Sequence, residues 1–324
     1  MINYIDFHCD TLMKAWMGRK KDIFAPGGMV SLNGLREGGC RAQFFAIFMP
    51  PVNLKKIAGL FLPKDEAYIE KNLQIFQNTL ERWPGILAAA KSMEDIRANW
   101  AQGKISGILT LEDGRAVNGK TENLERFYDR GIRLISLTWN HANCFGFPNS
   151  SDSAVMEKGL TDFGKEAVIR MNELGMLVDV SHLSDGGFRD VAALCKKPFV
   201  ASHSNCRSLN PHPRSMTDDM IRTLADKGGV MGVNFGPEFL TENVKAKESR
   251  AQAIVAQLRH MIKIGGEDCP AIGTDFDGIG GRLEIGSPGQ MPRLFETLEK
   301  SGFTAGQIEK IAYRNGERVM EEVL

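Results

Sequence analysis

The stretch that decides the fold runs from residue 176 to residue 203. It reads Met176-Leu177-Val178-Asp179-Val180-Ser181-His182, then a helical stretch over Asp185–Cys195, then Phe199-Val200-Ala201-Ser202-His203. Two short apolar, β-branched runs separated by a helix make a βαβ unit with parallel strands. Each run ends in a histidine, and the two histidines are 21 residues apart. In neighbouring strands of a barrel, both imidazoles stand side by side at the carboxyl end, where barrels carry their chemistry.

The same alternation extends in both directions. Eight strands are expected, over Tyr4–His8, Gln43–Phe48, Gly107–Glu112, Arg133–Thr138, Met176–Ser181, Phe199–Ser202, Val230–Asn234 and Ala271–Thr274. Helical periodicity fills the intervals at Lys64–Trp83, Met93–Gly103, Glu122–Arg130, Asp162–Leu174, Asp185–Cys195, Asp218–Lys227 and Ser249–Ile264. Gln290–Lys300 and Ala305–Val323 close the chain, the second with a break expected at Asn315-Gly316. Several helices begin after Ser, Thr or Asp, which cap the free amides of a first turn. Eight strands predict a closed (β/α)8 barrel, the TIM-barrel class within α/β proteins. No Pro/Ser linker, repeat or low-complexity tract interrupts the chain, so one domain over residues 1–324 is expected.

Composition narrows the function. With 43% hydrophobic and 25% charged residues the chain has apolar mass for a large core. Forty basic residues balance forty acidic ones, so no overall field draws it to nucleic acid or to an anionic membrane. The opening MINYIDFHCDTLMKAW lacks the basic segment, apolar stretch and small-residue cleavage site of a signal peptide. No run of about 18 apolar residues follows, and a cytoplasmic protein is expected. The six cysteines, Cys9, Cys40, Cys144, Cys195, Cys206 and Cys269, form no C-x-x-C pair. Neither a disulfide framework nor a thiolate zinc knot is signalled.

The polar residues at the strand ends carry the chemistry. His8 and Asp10 follow the first strand and, two apart, share a face. Glu112 ends the third strand, and Asp275 follows the eighth in Gly273-Thr274-Asp275-Phe276-Asp277-Gly278. Taken singly, each has an ordinary explanation: a histidine at a strand end is often hydrogen-bonded structure, and a carboxylate there often caps a helix. Taken together with His182 and His203, they make three imidazoles and three carboxylates at the ends of five strands. That nitrogen and oxygen set suits zinc or a similar divalent ion. It exceeds what one tetrahedral ion needs, so two ions roughly 3.5–4 Å apart, sharing a carboxylate and a water, are expected.

The segments His8-Cys9-Asp10-Thr11-Leu12, Leu111-Glu112-Asp113-Gly114, Asp179-Val180-Ser181-His182-Leu183-Ser184, Ala201-Ser202-His203-Ser204-Asn205-Cys206-Arg207 and Gly273 to Gly278 resemble, in order and spacing, the membrane dipeptidase (renal dipeptidase) family of zinc metallopeptidases. The match runs from residue 5 to about residue 280. The resemblance implies an amidohydrolase-like barrel that cleaves dipeptides with two Zn2+ ions and a bridging hydroxide. It implies His8 and Asp10 on one zinc, His182 and His203 on the other, and Glu112 bridging them. Asp275 would handle the proton, and Arg214, in Asn210-Pro211-His212-Pro213-Arg214, would grip the substrate carboxylate with its planar fork.

Two departures stand out. Asp113 occupies a position where the family commonly has Gly, next to the bridging glutamate. A substrate-binding histidine belongs after the fourth strand, and His141 is the only imidazole there; it is assigned near the oxyanion, with a place merely lining the pocket as the alternative. His212 and His260 read as structural, and Phe76, Leu80 and Leu258 as core. Homodimers occur in the family, though no interface is legible. The competing functions are another amidohydrolase-type reaction, such as deamination or lactone hydrolysis, and a non-catalytic binding protein on the same fold. Asp10 in the first-strand motif and Glu112 at the bridge favour the dipeptidase.

Overall fold

The computed structural model describes residues 2–24, 27–51 and 63–324. Eight parallel strands form the barrel: β1 (Tyr4–Cys9), β2 (Cys40–Phe48), β3 (Ile105–Glu112), β4 (Ile132–Ser136), β5 (Leu177–Asp179), β6 (Val200–Ser204), β7 (Val230–Val233) and β8 (Pro270–Ile272). They pair in the order 2-1-8-7-6-5-4-3, and β2 pairs with β3 from Ala42↔Ser106 to Phe48↔Glu112, which closes the ring. All eight expected strands are present, with ends shifted by a few residues. A further short strand, Leu87–Ala89, pairs with the start of β3.

One buried cluster takes at least one side chain from every barrel strand: Phe7, Phe44, Ile108, Leu134, Leu177, Val200, Val230 and Ala271. Eight strands can share one cluster only in the lumen, so this apolar set fills the barrel interior. Val319, Met320 and Val323 of the last helix join it. That helix also meets the chain just ahead of three strands. The Val323 carbonyl accepts from Lys197 Nζ, and Arg318 donates to the carbonyls of Gly228 and Asp268. The amino end of the barrel is therefore stoppered with apolar side chains, and the carboxyl end is left for polar ones. A second, larger cluster joins the outer faces of the strands to the surrounding helices and includes Leu124, Val168, Ile221 and Leu258.

The helices start where short polar side chains cap them. Ser31, Ser92, Thr161, Ser184, Thr217 and Thr304 each accept a first-turn amide. The chain's final helical segment is interrupted earlier than expected, by a π-helical turn over Lys310–Arg314. Beyond it the Asn315 side chain donates to the carbonyls of Glu267 and Pro270, fixing the last helix to the start of β8. No helix among the described residues is long and apolar enough to cross a membrane.

Candidate metal centre

The carboxyl end of the barrel brings six of the expected residues into contact. His8 Nε2 lies 3.7 Å from Asp10 Oδ2, 3.5 Å from Glu112 Oε2 and 3.8 Å from Asp275 Oδ1. Glu112 Oε1 lies 3.1 Å from His182 Nε2 and 3.4 Å from His203 Nε2. The two oxygens of one carboxylate thus face two different groups, His8 with Asp10 and His182 with His203. Three overlapping sets have ligand atoms close enough to share an ion: His8, Asp10 and Glu112; Glu112, His182 and His203; and His8, His203 and Asp275. The His8 and His203 rings stack at 3.8 Å.

Protein groups alone leave this pocket unsatisfied. Both ring nitrogens of His8, Asp10 Oδ1 and Glu112 Oε2 are buried without a hydrogen-bond partner. The Nε2 atoms of His182 and His203 face each other at 3.1 Å. His182 Nδ1 lies 3.1 Å from Asn140 Oδ1, and that oxygen can only accept, so the His182 proton sits on Nδ1. Its Nε2 is then a bare lone pair turned toward other acceptors. Buried imidazole nitrogens and carboxylate oxygens converging on one space are a donor set that suits a divalent cation. Orientation of metal-binding imidazoles through their second nitrogen is the usual arrangement.

The electrostatics agree. Burial alone would favour neutral Glu112, but the charge of His8 and the imidazoles gathered around it hold its carboxyl well below the usual range. Burial, together with the nearby Glu112 charge, pushes Asp10 up to about 6. Asp275 is raised well above a normal carboxyl by burial and by the negative charges of Asp10 and Glu112. Burial would lower His8, yet Glu112 and Asp10 outweigh it and raise it well above a free imidazole. Burial and Arg214 bring His182 down to about 4.

Backbone geometry at the strand ends is unusual in the same places. His182, Asp275, Asp277 and Asp113 have φ values of 69°, 62°, 71° and 75°, in a left-handed region that non-glycine residues seldom occupy. Gly278 is required nearby: a Cβ there would sit 2.0 Å from Asp10 Oδ2 and 2.4 Å from Asp275 Oδ1. Asn234 donates to Asp275 Oδ2 at 2.8 Å, which leaves Oδ1 for the pocket. Asp277 turns away, its oxygens taken by the Met29 amide and the Thr11 hydroxyl.

Arg214 is buried. It donates to Ser204 Oγ at 2.6 Å and to the His203 carbonyl at 2.8 Å, while its Nε has no partner. It forms no salt bridge among the described residues, and burial lowers it to about 10. Asp113 faces away from the imidazoles, accepting from Asn143 and from the Arg115 amide. His141 is not brought into the cluster. It is exposed, with its ring 6.2 Å from that of Trp139, which in turn is 6.1 Å from the His182 ring. His212 accepts from the Arg214 amide, and His260 is bonded to Ser208 and Asp218. Asn140, Ser202, Asn205 and Asn234 are uncharged and non-imidazole side chains, and were not legible as site residues. Their only trace in sequence is a position within four residues of a strand end.

The family model for the membrane dipeptidases, peptidase family M19, matches residues 1–324. The chain belongs to the membrane dipeptidase family. It is 33% identical over 294 residues to an uncharacterized dipeptidase of Schizosaccharomyces pombe, covering 89% of this chain and 70% of the relative. An uncharacterized Klebsiella pneumoniae protein is 35% identical over 260 residues, 78% of this chain and 95% of that one. Among solved structures, a Rhodobacter sphaeroides metallopeptidase liganded with a phosphinate mimic of the dipeptide L-Ala-D-Ala superposes with a TM-score of 0.89. It is 27% identical, covering 100% of this chain and 99% of that one. Dipeptidase AC, a metallopeptidase of family M19, superposes with a TM-score of 0.88 at 27% identity, covering 99% and 98%. Family membership places the protein among metal-dependent hydrolases.

Proposed function

We propose that the protein is a dipeptidase working as one domain with two zinc ions, His8 and Asp10 holding one, His182 and His203 the other, and Glu112 bridging them. The observation that carries this is the split of Glu112, whose Oε2 faces His8 and whose Oε1 faces His182 and His203. Two divalent ions bound there supply a water acidic enough to act as nucleophile at neutral pH and a Lewis acid for the peptide carbonyl.

The protein's own groups do the rest. Asp275, held through Oδ2 by Asn234, carries a proton at Oδ1 from the attacking water to the departing amine; burial and its acidic neighbours make it basic enough for that task. Arg214 binds the free carboxylate of the substrate. A buried guanidinium with an unpartnered Nε and no salt bridge among the described residues supports that role, because an anionic partner would offset the cost of burying its charge. The clamp selects substrates that end one residue past the scissile bond. The exposure of His141 supports a place on the pocket wall rather than at the reacting bond.

The test is hydrolysis of a dipeptide panel, including L-Ala-D-Ala and a carboxyl-amidated control, before and after chelation and zinc reconstitution. Zinc-dependent cleavage that fails with the amide is expected. Lack of cleavage by the zinc-loaded protein would turn the assignment toward another amidohydrolase-type reaction. Glu112→Gln is expected to weaken both ions, since one shared charge is lost; full metal content in that variant would contradict the bridge.

A further inference from the structure

Beneath the imidazoles lies a buried acid that the proposed reaction does not use. Asp179, at the end of β5, is fully buried. Its Oδ1 accepts the amides of Ser181 at 2.9 Å and Ser202 at 2.8 Å. Its Oδ2 accepts the hydroxyls of Ser136 at 2.5 Å and Ser202 at 2.6 Å. Four donors converge on two oxygens, the full complement of a carboxylate. A side chain with no solvent and no salt bridge among the described residues is costly to keep, so its position calls for an explanation.

Ser202 has one proton, and the shorter of its hydroxyl contacts to an oxygen spends it on Asp179. Toward His203 Nδ1, 2.7 Å away, Ser202 is therefore an acceptor. The proton of a neutral His203 must then sit on Nδ1, which leaves Nε2 as a lone pair aimed at the pocket. A second branch runs the other way. Arg214 donates to Ser204 Oγ at 2.6 Å, and Ser204, having accepted there, turns its own proton toward Ser181 Oγ, 3.3 Å away. Ser181 in turn lies 3.4 Å from Ser202 Oγ and accepts the His203 amide at 3.1 Å. One acid thus stands at the root of two hydroxyl branches, one ending on a metal-facing imidazole and the other on the unpaired guanidinium.

We propose that Asp179 is a positioning residue for both halves of the site, fixing the tautomer of His203 through Ser202 and anchoring Arg214 through Ser181 and Ser204. This rests on the two-zinc dipeptidase assignment. Zinc retention and carboxylate binding are then set by a common acid on the barrel wall. The two branches are separable, because Ser181 reaches Asp179 through its own amide as well, so Ser202 serves the imidazole and Ser204 serves the arginine.

The experiment compares the full chain with Asp179→Asn, Ser202→Ala, Ser202→Thr and Ser204→Ala. Zinc affinity is read by chelator competition, and the His203 tautomer by nitrogen-15 spectra of the zinc-free protein. KM and kcat are read on one dipeptide. Ser202→Ala should lose about 10- to 100-fold in affinity for one of two ions and shift the His203 proton off Nδ1, with Ser202→Thr restoring both. Ser204→Ala should raise KM about five- to tenfold while keeping both ions and kcat. Asp179→Asn should show both defects. If Ser202→Ala keeps the Nδ1 proton and full zinc affinity, or if the two alanine variants behave alike, the proposal is overturned. An unmodified chain that takes up no zinc would overturn the metal assignment itself, whereas two tightly held ions in Ser202→Ala would sink this inference alone.

Discussion

At the scale of single residues, the centre is a problem of unbalanced charge that a cation solves. Asp10 is raised to about 6, and His8 and Asp275 also hold protons more tightly than usual, so zinc must displace protons to bind. The sign follows: apparent zinc affinity falls as pH drops through about 6, where an ordinary carboxylate would stay ionised to about 4. Zinc titrations between pH 5.5 and 7.5 should show affinity climbing with pH and protons released on binding. A flat profile would mean that these groups are already deprotonated. Gly278 makes a second prediction. A methyl there would press on both Asp10 and Asp275, and Gly278→Ala is expected to cost about 100-fold in kcat/KM with the far-ultraviolet circular dichroism unchanged. The six candidate residues that the barrel mouth brings together were legible in the chain because each stands at or just past a strand end, where apolar alternation stops. Arg214 lies 11 residues past His203 and was legible only through the family resemblance. His141, assigned near the oxyanion or merely to the pocket lining, stands outside the cluster for a physical reason. The turn after β4 presents Asn140, not His141, to the His182 ring, and nothing in composition or spacing encodes the direction of that turn.

At the scale of elements, the barrel strands were readable because each is a short apolar run, and β4, β5 and β6 lead into helices capped by Thr161, Ser184 and Thr217. The strand Leu87–Ala89 escaped because three small or aliphatic residues carry no periodicity. The π-helical turn escaped because it depends on where Asn315 finds carbonyls to bond, a tertiary fact. Capping gives a direct test at this scale. Thr304 makes a reciprocal capping box with Gln307, so Thr304→Ala should cost about 1 kcal/mol in chemical denaturation without altering kcat. A larger effect is expected where strands meet. A Cβ at Gly273, just past β8, would lie 1.9 Å from the Ser202 carbonyl of β6, so Gly273→Ala must push these segments apart and should lower the melting temperature and weaken zinc together, since His203 directly follows Ser202. Loss of stability with unchanged zinc affinity would show that the strands can move without disturbing the ligands.

At the scale of the whole molecule, the chain divides its barrel between an apolar lumen stoppered by the last helix and a polar mouth with three imidazoles, three carboxylates and one buried arginine. The first half stabilises the fold, and the second offers the donor set proposed to hold the ions. Metal removal should therefore lower the melting temperature while leaving the far-ultraviolet spectrum intact, because the lumen cluster contains none of the ligands. The central claim is that one glutamate joins two ions into a single hydrolytic centre. The most direct test is a titration of zinc into the metal-free chain with dipeptide hydrolysis followed at each addition. Uptake that saturates at two ions per chain, with full cleavage reached only at the second, is the predicted result. Saturation at one ion with full activity, or cleavage without any metal, would contradict it.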